Sequence, residues 1–380
     1  MSVVWQVLRT EGLLAVRDRT LDRLAEARRR RSFSPAPPGW RPDPVSVLRL
    51  SATAPAPRLG GVQAHLLHSL DRGSALLYPQ AGGWRLEVQG RSVTFAGGLE
   101  EAVRSAAGML GAASLHVEGL AGLPLDSLLR LRDLDLHLAL HDFAAFCVRP
   151  HLLERPQLRF CWYSRDLERC GRCLRQDWPV EDVYQAERRA VAAELLASAS
   201  FLTFPSEFLR RTYAELFPGL PPGRVVPPAS GTAPLPPREP GPIRHAALVG
   251  GVQAHKGALV FEQVAKELAK RVDLPWTVYG GGDPDLLIRL RRLPRVRVRG
   301  YYRSGTLPRL LRRDRVDLAL LLSIVPESYS LVLDECQAAG VPVVAFDLGA
   351  VAERLTLGRL VPLEEGAEGI VAAVTKMLKS

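Results

Sequence analysis

Pro326–Asp347 reads PESYSLVLDECQAAGVPVVAFD, and this stretch decides the fold. A short turn leads into a helix, Ala338-Ala339-Gly340 ends that helix, and Val341 to Phe346 reads as a fully buried parallel strand. Two glutamates, Glu327 and Glu335, stand eight residues apart. That spacing is a little over two helical turns, so their side chains fall near one face. Glu335 lies inside the helix and Glu327 just before its first turn. An acid at that end serves the helix dipole or receives hydroxyls of a ligand resting on the free N–H groups. The plain alternative is a pair of surface glutamates.

Outward from this stretch, the chain of 380 residues suits two domains. A hydrophobic share of 47% marks a globular chain. The net charge of +10, carried overwhelmingly by arginine, suits an anionic partner: nucleotide phosphates, an anionic membrane surface or nucleic acid. No apolar run is long enough to span a bilayer, and charges interrupt the N-terminal apolar stretch early, unlike a signal peptide. The expected location is therefore the cytoplasm, where disulfides are not expected.

Residues 1–31 read as one basic amphipathic helix with Gly12 its weak point. Val4, Trp5, Val7, Leu8, Leu13, Leu14, Val16, Leu21 and Leu24 supply its apolar side, and Arg28–Arg31 end it. Such a helix lies in a membrane interface or packs on the body with a solvated arginine tail. Residues 32–44 are a proline-rich linker, and residues 227–242 a second Pro/Gly-rich segment that serves as hinge. Strands alternate with helices through 45–226 and again, more regularly, through 243–380. The predicted fold class is α/β, with two Rossmann-like parallel-sheet domains and a central cleft.

Candidate chemistry sits at strand ends. After a strand at His245–Val249, Gly250-Gly251 turns and His255-Lys256-Gly257 opens a helix, a pattern suited to phosphate. Gly280-Gly281-Gly282-Asp283 follows the next strand, and Gly300-Tyr301-Tyr302 the one after it. Upstream, Gly60-Gly61 opens a helix, and His141-Asp142 ends a strand, where ligands gather in α/β sheets. Cys147, Cys161, Cys170 and Cys173 crowd one insert, residues 147–173, with a C-x2-C knuckle; structural zinc, an iron–sulfur cluster, a redox pair (without a thioredoxin-like context) and free buried thiols are the readings open to them. The segment from Arg149 to Pro179 otherwise reads as an irregular loop. Two Asp-x-Asp triplets occur; Asp283 is read as a helix N-cap and Asp133 lies at the wrong end of its strand, so no catalytic metal is expected.

The Glu-x7-Glu element followed by Ala-Ala-Gly-Val-Pro-Val-Val resembles the nucleotide-sugar glycosyltransferases of family 4 type, which have the two-domain glycosyltransferase-B fold. The resemblance runs from about Val45 to the C-terminus and is strongest after Ile243. It implies that Glu327 contacts the donor sugar, Glu335 the ribose hydroxyls, and the amides near Ser330 and Leu331 the distal phosphate. It places Lys256 on the diphosphate, Gly281 in a ligand-side loop, Tyr301 near the nucleobase, Gly60-Gly61 near donor and acceptor, and His141 near the reacting carbon. Two positions depart from the pattern. Gly251 stands where the family has an arginine, and Ser330 where it usually has glycine. The resemblance further implies retaining transfer to a glycan or lipid-linked acceptor in cell-surface polysaccharide (O-antigen type) synthesis. The C-terminus at Ser380 falls short of the long crossing helix common in the family, which suggests a truncated or multidomain-derived form. Competing readings are a sugar-nucleotide epimerase or hydrolase, a glycosyltransferase-like scaffold with degraded catalysis, and a zinc-containing nucleic-acid-binding protein. The spread of basic residues along the chain argues against the last.

Overall fold

The computed structural model describes residues 3–56, 61–71, 73–229, 232–239 and 241–379. Gly60 of the predicted Gly60-Gly61 pair lies outside them. In the C-terminal domain six parallel strands form one sheet: Ala246–Val249, Trp276–Tyr279, Val296–Gly300, Leu318–Leu321, Val343–Phe346 and Gly358–Val361. Numbered in chain order, they lie 3-2-1-4-5-6. Four of them are buried along their whole length, which is why three are unbroken apolar runs and the other, Trp276–Tyr279, carries only Thr277 as a polar residue. Phe261, Trp276 and Ile370 fill one face, and Tyr302, Leu311 and Cys336 the other. The strand order reverses between the first and fourth strands, and that reversal opens a crevice at their carboxyl ends.

The N-terminal sheet has a parallel centre of Ala75–Gln80, Val47–Leu50, Ser114–Glu118, Asp135–Ala139, Phe201–Phe204 and Gly223–Val225, in that spatial order. It is not parallel throughout. Gly83–Val88 and Arg91–Phe95 add as an antiparallel meander, because the two-residue link Gln89-Gly90 has φ of 49° and 72°, the geometry of a tight hairpin turn. Ser34–Pro35, inside the predicted linker, pairs with the outer strand of the meander. The insert is more regular than its sequence suggested. It holds a small two-stranded ribbon and the helix Leu167–Leu174, capped by Asp166, which accepts from the Arg169 N–H at 3.0 Å.

The N-terminal segment corrects the sequence reading most sharply. It forms two helices, Val3–Thr10 and Leu13–Arg31, broken at Gly12, whose φ of 95° favours glycine. Glu11, Ala15, Asp18 and Asp22 recur every three to four residues and are buried, whereas Trp5, Leu13, Leu14, Leu21 and Leu24 are exposed. The inward face is therefore the acidic one. Arg299 Nη2 donates to Asp18 at 2.6 Å, Arg303 Nε to Asp22 at 2.9 Å, and the Tyr301 hydroxyl to Asp22 at 2.7 Å. At the other end Arg29 pairs with buried Glu87 of the N-terminal sheet at 2.6 Å. The helix thus straps the two domains together. They also meet where Ser206 Oγ donates to the Ser328 carbonyl at 2.7 Å and where the His151 and His255 rings stack at 4.4 Å.

Candidate active site

A cleft of ≈ 480 Å³ occupies the crevice where the strand order reverses. Gly250, Gly251 and Lys256 reach it from the end of the first strand, and Glu327, Leu331 and Glu335 from the end of the fourth. Gly281 and Tyr301 line it as well. Eight residues singled out from the sequence therefore share one cleft. A second cavity of ≈ 300 Å³ adjoins it, sharing Lys256, Glu327 and Leu331, and is closed from the N-terminal domain by Gly61, His141 and Asp142; Ser330 lines this cavity too.

Local structure explains each placement. Lys256 directly precedes Gly257, the N-cap of the helix Ala258–Leu268. Its Nζ lies 3.1 Å from Glu327 Oε1, so lysine and acid form one ion pair. Glu335 is buried within the helix Leu331–Ala338; its Oε1 accepts the Gly305 N–H at 2.9 Å, and the Tyr302 hydroxyl points to Oε2 at 3.5 Å. Burial pushes the Glu335 carboxyl up to about 7. Ser330 adopts φ of 76°, a left-handed conformation that explains why glycine suits this position and costs a serine about 1 kcal/mol. Its buried Oγ has no hydrogen-bond partner among the described residues.

Tyr301 does not present a free ring to the cleft. The Arg19 guanidinium lies over it at 4.4 Å from the centroid, and its N–H donates to Glu11 at 2.9 Å. Gly281 also has a use the sequence did not reveal. A Cβ there would stand 2.5 Å from Arg19 Nη2 and 2.6 Å from Glu11 Oε2, so glycine makes room for the strap. Asp283 accepts from the Asp285 and Leu286 N–H groups at 2.9 and 3.1 Å, as an N-cap does.

On the N-terminal side, His141 Nε2 lies 3.7 Å from Glu118 Oε2 and His65 Nε2 lies 4.0 Å from the same oxygen. Burial works against the Glu118 carboxylate, but His141 and Arg49 outweigh it and hold its pKa below the ordinary range. These three ligand atoms fall within 4.8 Å of one another, close enough for a cation. The donor set does not suit one. The Ala229 N–H donates to His65 Nδ1 at 3.0 Å, which leaves the proton of neutral His65 on Nε2, facing Glu118. Arg49 Nη1, 2.8 Å from Glu118, already neutralises the acid. Asp142 turns its carboxylate onto the Ala144 N–H at 2.8 Å, so it shapes the turn that presents His141.

Residues 244–380 match the family described as Glycosyl transferases group 1. These residues are a group 1 glycosyl transferase domain. Over its length the chain is similar to sucrose-phosphate synthase from Thermosynechococcus elongatus, at 17% identity and a TM-score of 0.61, covering 88% of this chain and 90% of that one. It is also similar to HepE from Anabaena in complex with UDP and glucose, at 14% identity and a TM-score of 0.56, covering 88% and 90%. A third likeness is to a trehalose-6-phosphate protein from E. coli bound with UDP-2-fluoro glucose, at 13% identity and a TM-score of 0.55, covering 88% and 91%. No curated protein sequence matches. At these identities the structural likeness establishes the fold: the two-domain glycosyltransferase-B architecture.

Beside the glycosyl transferase domain, sequence reasoning missed Arg19, His65, Glu118 and Arg49. Only Glu118 carried a signal, as a charged residue ending an apolar strand. The four insert cysteines line one small void of ≈ 20 Å³. Three of the four thiols have a hydrogen-bond contact among the described residues. Gln185 Nε2 donates to Cys147 at 3.0 Å, the Arg155 N–H donates to Cys173 at 3.3 Å, and Cys170 donates to the Ser164 carbonyl at 3.5 Å. Burial raises the Cys147 thiol to about 11 and raises Cys161 as well. Among the described residues the sulfurs do not draw together as the His65, Glu118 and His141 atoms do.

Proposed function

We propose that this chain transfers a sugar from a nucleotide-diphosphate sugar to a glycan or lipid-linked acceptor, with retention of configuration, in cell-surface polysaccharide synthesis. One observation carries the reading: a single cleft at the strand reversal holds Glu335 and Lys256, and it opens at Glu327 into the cavity that His141 borders. A buried acid suits ribose hydroxyls, and a lysine at a helix start suits the diphosphate whose charge grows as the glycosidic bond breaks. The interdomain cavity then receives the sugar, with Glu327 and His141 orienting it and domain closure excluding water. The test is a thermal-shift screen against nucleotides and nucleotide sugars, followed by transfer assays with the donor that binds. A selective shift by one nucleoside diphosphate supports the reading, and no shift from a folded protein overturns it.

We further propose that the strap rests on an anionic membrane surface. What supports this is its outward face, where exposed Trp5, Leu13, Leu21 and Leu24 stand beside exposed Arg17 and Arg28. No helix among the described residues is long and apolar enough to cross a membrane. Vesicles containing anionic lipid should co-sediment the protein, and Trp5→Ser with Leu13→Ser should release it. Equal binding by wild type and the double variant would reject the placement.

A further inference from the structure

The cleft contains one cation that no motif announced. Arg19 comes from the strap, 34% exposed, with Nη2 2.5 Å from Glu11 Oε1. Its Nε is buried without a hydrogen-bond partner among the described residues. Arg19 and Tyr301 border both the main cleft and a further cavity of ≈ 120 Å³ that Asp22 and Arg23 close. Lys256 and Glu327 instead border the interdomain cavity. The groove therefore has two distinguishable ends: one at the domain interface, marked by Lys256, and one under the strap, marked by Arg19.

Resting on the nucleotide-sugar reading, we infer that Arg19, held over the Tyr301 ring at 4.4 Å from its centroid, is the seat on which the nucleobase of the donor stacks. A nucleotide sugar carries its sugar, diphosphate and nucleoside in line. With the sugar end at the domain interface and the phosphates at Lys256, the base reaches the strap end. A guanidinium plane stacks on any base, and the Tyr301 ring beneath fixes that plane. Glu11 offsets the Arg19 charge, which makes this end a poor phosphate site and a good aromatic one. Gly281 keeps the arrangement in place, because any side chain there would push into Arg19 and Glu11. The strap is then part of the donor site, and its docking governs donor affinity.

Titration calorimetry on the full chain tests this, using UDP, GDP and inorganic pyrophosphate with the wild type, Arg19→Gln, Arg19→Lys and Lys256→Ala. Both Arg19 variants should weaken the preferred nucleoside diphosphate by roughly 5- to 150-fold, the range for a lost stacking partner, and leave pyrophosphate unchanged. Lys256→Ala should weaken both ligands. Rescue by Arg19→Lys, equal loss of pyrophosphate, or unchanged nucleoside diphosphate affinity in Arg19→Gln overturns the inference. If Lys256→Ala weakens nucleotides and Arg19→Gln does not, the inference alone fails. If neither does, the nucleotide-sugar reading falls with it.

Discussion

Lys256 Nζ sits 3.1 Å from Glu327 Oε1, so two residues assigned separate roles from sequence hold each other in the cleft. A diphosphate must share Lys256 with this carboxylate. Glu327→Gln removes the competing charge and should tighten inorganic pyrophosphate while slowing sugar transfer. Lys256→Ala removes a charged hydrogen-bond donor and should cost about 1.5–3 kcal/mol of nucleotide binding, roughly 10- to 150-fold. Calorimetry on both variants checks the pair, and weaker pyrophosphate binding by Glu327→Gln would contradict it.

Glu335 links stability to pH. Its folded pKa is raised by burial to about 7, above its value in the unfolded chain. Between roughly pH 4.5 and 7 the folded state therefore holds the extra proton, and stability falls as pH rises through that window, by up to about 3 kcal/mol. Glu335→Gln keeps an acceptor for the Gly305 N–H and should flatten this slope. Urea melts at pH 5 and pH 8 make the comparison; the same slope in wild type and variant would remove Glu335 as its source.

The C-terminal domain was legible because its strands are buried on both faces and punctuated by glycine, so Val343–Phe346 and the helix before it stand out from their neighbours. Lys256 and Glu327 could be placed for the same reason, since each lies in the turn after a strand, and Glu335 lies in the helix that such a turn opens. The Glu118, His65 and Arg49 cluster could not, because its members come from three separate elements and meet only once the sheet is ordered. The face by which the strap packs was not legible, for a physical reason. Apolar periodicity names the buried face only when nothing polar answers the other, and here Arg299, Arg303 and the Tyr301 N–H answer Glu11, Asp18 and Asp22. The helix Leu167–Leu174 escaped notice because its eight residues span little more than two turns, too short for a periodic pattern to stand out.

The four cysteines give a metal prediction. A zinc centre, proposed from the C-x2-C knuckle, requires the sulfurs to draw in around the void they line and to ionise. Protein purified with zinc present should then carry one zinc per chain by elemental analysis, and Cys170→Ser with Cys173→Ser should lose both the metal and thermal stability. Metal-free protein with an unchanged melting temperature in the double variant would leave the packed-thiol arrangement standing.

Asp18 and Arg299 are both nearly out of solvent and 2.6 Å apart, with side chains 4% and 1% exposed. Desolvating two charges makes such a pair a modest net stabiliser, but removing one partner strands the other. Asp18→Ala should therefore cost about 3–5 kcal/mol, unless the strap undocks first and limits the loss to its own opening energy. Urea unfolding measures the total, and amide exchange across residues 13–31 separates the two routes. Global destabilisation raises exchange everywhere, whereas undocking raises it in the strap and at the Tyr301 N–H that Glu11 holds. In the second case donor affinity falls although the sheet domains stay intact. Unchanged stability together with unchanged strap exchange would show that the buried pair does not hold the strap at all.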